Sequence, residues 1–99
     1  MPQKLSILVV IPTFNRVDEV CQCLDCLAYC FGPNSDLPSN VHLKVVVSDD
    51  ARDPLLRDLI AIRFPWCTYL EGPSRGPAAN RNHGARSVSY THLTLPTKA

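Results

Sequence analysis

The sequence has 99 residues, 45% of them hydrophobic and 19% charged, and its formal net charge at pH 7 is +1. This composition is typical of one small globular domain, or of part of a larger one, and argues against a disordered chain. A net charge near zero favours neither nucleic acid nor a membrane surface, and no apolar run approaches the ~20 residues of a membrane span. We therefore expect no nucleic-acid partner, no transmembrane segment in this chain and a cytoplasmic location, with membrane association left open for a longer parent protein.

The first half of the chain predicts a strand, a helix and a second strand. Leu5 to Ile11 is a nearly continuous β-branched and aliphatic run, which is typical of a parallel strand covered on both faces. A helix is expected next, from Arg16 to about Tyr29, with Asn15 as its N-cap. After a loop rich in Pro, Asn and Ser, Val41 to Ser48 repeats the pattern of the first strand.

Four of the five cysteines fall within or close to that predicted helix. At about 100° per residue, Cys21 lies on the apolar stripe, whereas Cys23, Cys26 and Cys30 lie on the other side. An odd number of cysteines crowded in this way does not suggest a disulfide framework, and structural zinc sites usually take their ligands from two separated segments. We expect reduced thiols and no metal here, with zinc as the alternative.

The second half repeats the alternation of helix and strand. Asp53 and Pro54 are typical of a helix start, with Asp as the cap and Pro in the first position, and Pro65 ends that helix. Residues 67–70 form a short third strand, and a third helix runs from Pro77 to about Arg86. The apolar side of the second helix is expected to hold Leu55, Leu56, Leu59, Ile60 and Ile62. This order predicts an α/β fold, with a parallel sheet and helices on both faces as three layers.

The last thirteen residues, "SVSYTHLTLPTKA", depart from this pattern. They contain one charged residue and no helical stripe, although strand-like alternation is possible within "YTHLTL". We interpret residues 1–86 as the domain portion and residues 87–99 as a tail that is non-native or disordered. A sheet that lacks its next strand would leave an apolar edge open, so poor solubility is also expected.

Three polar clusters follow the predicted strands, where ligands bind in open parallel sheets. The first holds Pro12, Thr13, Asn15 and Arg16, the second is "SDDAR" at 48–52, and the third is "GPSRGPAANRNHG" at 72–84. Each has a structural alternative, since Asn15 can cap a helix and Thr13 can satisfy turn amides. Asp49 and Asp50 are adjacent like charges that no predicted cap requires. A structural role and binding to a ribose or a base are therefore both open for them. In the third cluster, a helix N-terminus flanked by Arg75 and Arg81 suits phosphate, and solvated arginines are the alternative.

Three stretches, read together, resemble a known family. "LSILVVIPTFNR" at 5–16, "VVVSDDA" at 45–51 and "GPAANRNHGAR" at 76–86 are similar, in that order, to the start of the family 2 nucleotide-sugar glycosyltransferases. These enzymes have the GT-A fold, a Rossmann-like nucleotide-binding domain. The resemblance implies a UDP-, GDP- or dTDP-sugar donor and transfer with inversion to a hydroxyl of a saccharide or lipid acceptor.

The resemblance also assigns roles to residues. It implies that the turn from Pro12 to Arg16, with Thr13 and Asn15, belongs to the nucleotide pocket, and that Asp49 or Asp50 contacts the base or ribose. It places Arg81 and Asn82 beside the nucleotide, with Arg75 as a further helper, and Asn80 stands where the family usually has alanine.

The family's divalent cation, Mg or Mn, and its catalytic base depend on acidic residues of later strands. This sequence has no Asp or Glu after Glu71, so the ligands of that cation are absent from the chain. We therefore interpret the chain as the N-terminal portion of an enzyme, itself inactive. The alternatives are a non-catalytic nucleotide-binding fragment or pseudoenzyme, and a flavodoxin-like or response-regulator-like domain, in which paired acids after a strand are also natural.

Overall fold

The computed structural model describes residues 5–31, 37–86 and 91–94. Strand β1 is followed by helix α1, which passes into one turn of 3₁₀ helix, and the remaining strands and helices then alternate. Their bounds are β1 Leu5–Thr13, α1 Val17–Leu27, the 3₁₀ turn Ala28–Phe31, β2 Val41–Asp49, α2 Pro54–Arg63, β3 Cys67–Glu71, α3 Pro77–Ala85 and β4 Thr91–Thr94. The predicted order of strands and helices is confirmed.

The four strands form one parallel sheet in the order β3-β2-β1-β4. The two central strands pair over nine residues each, from Leu5 opposite Val41 to Thr13 opposite Asp49. Because all pairs are parallel, the carboxyl ends of the strands lie at one edge of the sheet. The residues after β1, β2 and β3 therefore meet at that edge.

The core has two faces, because alternate residues of a strand point to opposite sides of the sheet. Val9, Ile11, Val45 and Val47 pack with buried residues of α1 and α2. Leu8, Val10 and Val46 form the opposite face, against which Ala85 of α3 packs. The expected α/β fold with helices on both faces of a parallel sheet is confirmed.

Helix α1 has the apolar stripe that the sequence predicts, but its start differs. Val20, Cys21 and Leu24 are buried, as expected. The predicted N-cap at Asn15 is wrong, because Arg16 occupies the cap position and no side chain bonds the first turn there. Asn15 instead has a φ of 55°, the left-handed conformation that Asn tolerates better than most residues. Its role is to turn the chain before the helix begins.

Helix α2 begins as predicted. The Asp53 side chain accepts a hydrogen bond from the Leu55 N–H at 2.9 Å, and Pro54 holds the first position. Leu56 and Ile60 are buried, whereas Leu55 and Ile62 are 59% and 79% exposed. The expected apolar side was thus too broad, because Leu56, Leu59 and Ile60 pack toward the core whereas Leu55 and Ile62 do not.

Strand β4 comes from the segment that was expected to be a tail. Its four residues pair with Ile7–Val10 of β1, so that edge of β1 is covered over those residues. The rest of that segment, 87–90 and 95–99, lies outside the described residues.

All five cysteines have free thiols. Among the helices described, none is long and apolar enough to span a bilayer.

Candidate functional site

A cavity of about 580 Å³ opens at the carboxyl edge of the sheet. Strands β2 and β3 follow β1 on one side, whereas β4 pairs with its other side, so the strand order reverses at β1. Ligands of open α/β sheets bind outside the carboxyl ends of the strands at such a reversal. The cavity is lined by Pro12, Thr13, Phe14, Arg16, Asp50, Ser74, Gly76, Pro77 and Asn80.

The end of β1 brings an unsatisfied hydroxyl to this cavity. Thr13 is only 4% exposed, and its Oγ1 atom has no hydrogen-bond partner within the described ranges. Its carbonyl oxygen, in contrast, accepts the Asp50 N–H at 2.9 Å. A buried polar atom without a partner costs roughly 1–3 kcal/mol, so a bound group that formed a hydrogen bond with this hydroxyl would offset that cost.

Asp49 has a structural role. Its carboxylate is buried and accepts hydrogen bonds from the N–H groups of Ala51 (3.0 Å) and Asp53 (2.9 Å) and from the Tyr69 hydroxyl (2.9 Å). Burial, together with this hydrogen bond and the negative charge of Asp49, raises the pKa of Tyr69, which therefore stays a donor. Asp49 is absent from the cavity wall, and its carboxylate holds the turn between β2 and α2 in place.

Asp50 lines the cavity and anchors the loop of residues 72–76. Its Oδ1 accepts the Ser74 N–H at 2.6 Å, and its Oδ2 accepts the Gly76 N–H at 3.2 Å. The Ser74 hydroxyl also donates to the Asp50 carbonyl oxygen at 3.2 Å. One carboxylate thus fixes the segment that leads into α3.

The loop of residues 72–76 depends on its two glycines for different reasons. A Cβ on Gly72 would lie 2.5 Å from Asn80 Oδ1 and 2.5 Å from Asp50 Oδ1, so no side chain fits there. Gly76 has φ 96° and ψ 174°, a backbone region that essentially only glycine adopts. The Arg52 guanidinium donates twice to the Gly72 carbonyl, at 2.9 and 3.0 Å. The loop is therefore tied to the turn after β2 at both of its ends.

Asn80 connects α3 to the ends of both central strands. Its amide nitrogen donates to the carbonyls of Thr13 (3.2 Å) and Ser48 (2.8 Å), and its Oδ1 accepts the Ser48 hydroxyl at 2.6 Å. The residue is 2% exposed. Close packing supports this contact, because a Cβ on Gly84 would lie 2.7 Å from Val10 Cγ1. The first turn of α3 is thus seated directly on the sheet edge.

The structure brings together half of the site residues that the sequence proposed. Pro12, Thr13, Arg16 and Asp50 line the cavity. The cavity wall does not include Asn15, Asp49, Arg81, Asn82 or the suggested helper Arg75. Sequence reasoning missed Phe14, Ser74, Gly76, Pro77 and Asn80 as parts of the wall, although most of them lie inside the first and third polar clusters.

The charges at the cavity suit an anion. In the part of the chain that the structure describes, the Arg16 guanidinium has no acidic partner, and the negative charge of Asp50 is compensated by two N–H donors. Gly76 and Pro77 bring the N-terminus of the nine-residue helix α3 to the wall. The free N–H groups and the dipole of such a terminus favour negative charge.

The carboxylates near the cavity do not suit the divalent cation that the family resemblance implies. The carboxylates of Asp49 and Asp50 are engaged by N–H and O–H donors of the chain itself. Within the described segments, no three metal-ligating side chains come together.

No protein-family model matches the chain, and neither the curated proteins nor the solved structures contain a significant match.

Proposed function

We propose that this chain binds a nucleoside diphosphate, as the nucleotide-sugar-binding portion of a family 2 glycosyltransferase with the GT-A fold. The observation that carries the proposal is the convergence of three loops, separated along the sequence, on one cavity beside the carboxyl end of β1. Each of the three stretches that resemble this family contributes residues to the wall of this cavity. The parent protein would be the enzyme, and this chain would bind the nucleotide sugar without transferring its sugar.

The cavity offers partners for both halves of a nucleoside diphosphate. Phe14, a residue that is 60% exposed, lines the cavity, and an exposed aromatic residue at a cavity is a stacking surface for a base. The N-terminus of α3, the Arg16 guanidinium and the unsatisfied Thr13 hydroxyl supply donors and positive potential for phosphate oxygens. A ligand that combines an aromatic base with a diphosphate uses all of these groups.

The flavodoxin-like or response-regulator-like alternative receives less support. In such a domain, we would expect the acidic pair and the turn after β1 to form a site without the start of α3. Here Asp50 donates its N–H to Thr13 and accepts the N–H groups of Ser74 and Gly76. The start of α3, with Gly76, Pro77 and Asn80, therefore belongs to the same cavity as the acidic residue.

The proposal is tested by titrating the purified chain with UDP and with GDP, in the presence and absence of Mn²⁺, by isothermal calorimetry. We expect one nucleotide to bind without a requirement for metal. The Phe14→Ala variant should bind it roughly 5- to 150-fold more weakly, because base stacking on an aromatic ring contributes about 1–3 kcal/mol. The matched control is Leu55→Ala, which truncates a side chain of similar exposure on α2 and should not change affinity.

Two outcomes would contradict the proposal. Absence of binding by either nucleotide at millimolar concentration would exclude the nucleotide site. Binding that Mn²⁺ strengthens tenfold or more would mean that this chain contains a carboxylate metal site, against the interpretation of a metal-free portion. A third measurement concerns activity: sugar transfer by the purified chain would refute its assignment as an inactive fragment.

A further inference from the structure

Asn80 is a buried polar residue in the turn of α3 that lines the cavity. We propose that it is a positioning residue for phosphate binding, which holds the N-terminus of α3 at a fixed distance from the end of β1. This inference rests on the proposed nucleotide-binding function and names the residue that orients its phosphate-binding part.

The Asn80 side chain uses its full donor capacity on strand ends. The two N–H groups of its amide donate hydrogen bonds to the carbonyls of Thr13 and Ser48, at 3.2 and 2.8 Å, where the pairing of β1 with β2 ends. Its oxygen accepts the Ser48 hydroxyl at 2.6 Å. One amide therefore satisfies the ends of both central strands and ties them to a single helix turn.

The same turn contains the backbone N–H groups of α3 that have no acceptor within the helix. Pro77 has no N–H, and the Asn80 N–H already donates to the Gly76 carbonyl at 3.0 Å. The N–H groups of Ala78 and Ala79, which precede the first intrahelical bond, are left without a helical acceptor. The position of these two donors relative to the sheet edge is set by the contacts of Asn80, one residue further on.

A second observation points to a ligand near this turn. The buried hydroxyl of Thr13 has no partner within the described residues, and Thr13 lines the cavity together with Gly76, Pro77 and Asn80. The Asn80 amide bonds the carbonyl of that same threonine. An anion between the Thr13 hydroxyl and the start of α3 would contact both groups whose spacing Asn80 fixes.

The test compares a nucleoside diphosphate with its nucleoside. For the wild type, Asn80→Ala and a control variant, the dissociation constants of the better-binding diphosphate (UDP or GDP) and of the matching nucleoside are measured by titration. The control is Val20→Ala, which removes buried volume on α1, on the opposite face of the sheet. Urea unfolding curves of the three proteins are used to choose a titration temperature at which each of them is folded.

We expect Asn80→Ala to weaken diphosphate binding roughly tenfold, the scale of a helix terminus acting on an anion, and to change nucleoside binding less than twofold. Val20→Ala should leave both constants unchanged. Equal losses for the two ligands, or no loss for either, would overturn the positioning role. Failure of the wild type to bind the diphosphate would instead refute the proposed function, and the inference with it.

If Asn80→Ala does not fold, Ser48→Ala decides the question. It removes the hydroxyl that donates to Asn80 Oδ1 and keeps both donor bonds of the amide. We expect the ratio of the diphosphate to the nucleoside dissociation constant to rise about twofold or more, since a neutral hydrogen bond contributes about 0.5–1.5 kcal/mol. An unchanged ratio would overturn the inference.

Discussion

Asp50→Asn tests whether one carboxylate anchors the loop that forms a wall of the cavity. Asp50 accepts two backbone N–H groups, from Ser74 at 2.6 Å and from Gly76 at 3.2 Å. Asparagine has the same shape but only one acceptor oxygen. We expect this oxygen to keep the shorter bond to Ser74, so that the amide NH₂ faces the Gly76 N–H, donor against donor.

The magnitude of the effect follows from these two bonds. A hydrogen bond to a charged group contributes about 1.5–3 kcal/mol, and a neutral one about 0.5–1.5 kcal/mol. The substitution removes one charged bond and reduces the other to a neutral one. Because water reaches the half-buried Gly76, part of the loss is recovered. We therefore expect the free energy of unfolding to fall by about 2–3 kcal/mol, a large fraction of the stability of a small domain.

The assay is equilibrium unfolding in urea, followed by circular dichroism and tryptophan fluorescence. The matched control is Asp53→Asn, because the Asp53 side chain accepts a single exposed N–H at the start of α2 and Asn caps helices as well as Asp. The control should change the free energy of unfolding by less than about 0.5 kcal/mol. If Asp50→Asn falls within that same margin, the anchoring role of Asp50 is refuted.

Three further predictions follow from other features of the structure. Gly72→Ala should lower the free energy of unfolding by about 1–3 kcal/mol in the same urea assay, because the added Cβ would lie 2.5 Å from Asp50 Oδ1, and an unchanged curve would show that the loop relaxes freely. The pKa of Tyr69 is raised, so its neutral form stabilises the fold below the unfolded value of about 10, and this stability is lost as pH rises above it. Tyr69→Phe should therefore give a flatter decline of the unfolding free energy above pH ~10, and an identical decline would contradict the buried hydrogen bond. Burial raises the pKa of Cys67 to about 12, so iodoacetamide at neutral pH should label exposed Cys26 and reach Cys67 only in denaturant; mass spectrometry showing equal labelling would disprove this.

Local signals predicted the elements that depend on local interactions. The pair Asp53–Pro54 determines the start of α2 through one side-chain bond and one fixed φ angle, so these two residues were enough to find it. The turn after β1 misled the same reasoning. Asn15 has the residue type of an N-cap, but the backbone of this turn needs a left-handed residue before the helix, and Asn is suited to both.

The sequence could not decide which of Asp49 and Asp50 lies at the cavity, because this depends on which face of the sheet each helix covers. Val47 and Asp49 share the face that packs on α1 and α2, and Asp49 accordingly bonds the start of α2. Val46 and Ser48 share the face of α3, and Asp50 reaches the loop that leads into that helix. The period of two along β2 contains this distinction, but it becomes informative only when the face that α3 covers is known.

Asn80 was missed because its partners are distant in the sequence. Its side-chain bonds reach Ser48, 32 residues away, and Thr13, 67 residues away. In the sequence it is one polar residue in a polar stretch, which is typical of a solvated helix face. Only the parallel topology, which seats the first turn of α3 on the ends of β1 and β2, makes it part of the core.

The most direct test of the central claim is a backbone amide chemical-shift titration of the isotope-labelled chain with UDP and GDP. The binding nucleotide should shift resonances from all three loops together, at Phe14, Asp50, Ser74 and Ala78, with one common dissociation constant. Shifts confined to one loop, or located at the opposite, amino-terminal edge of the sheet around Trp66, would contradict a shared nucleotide site.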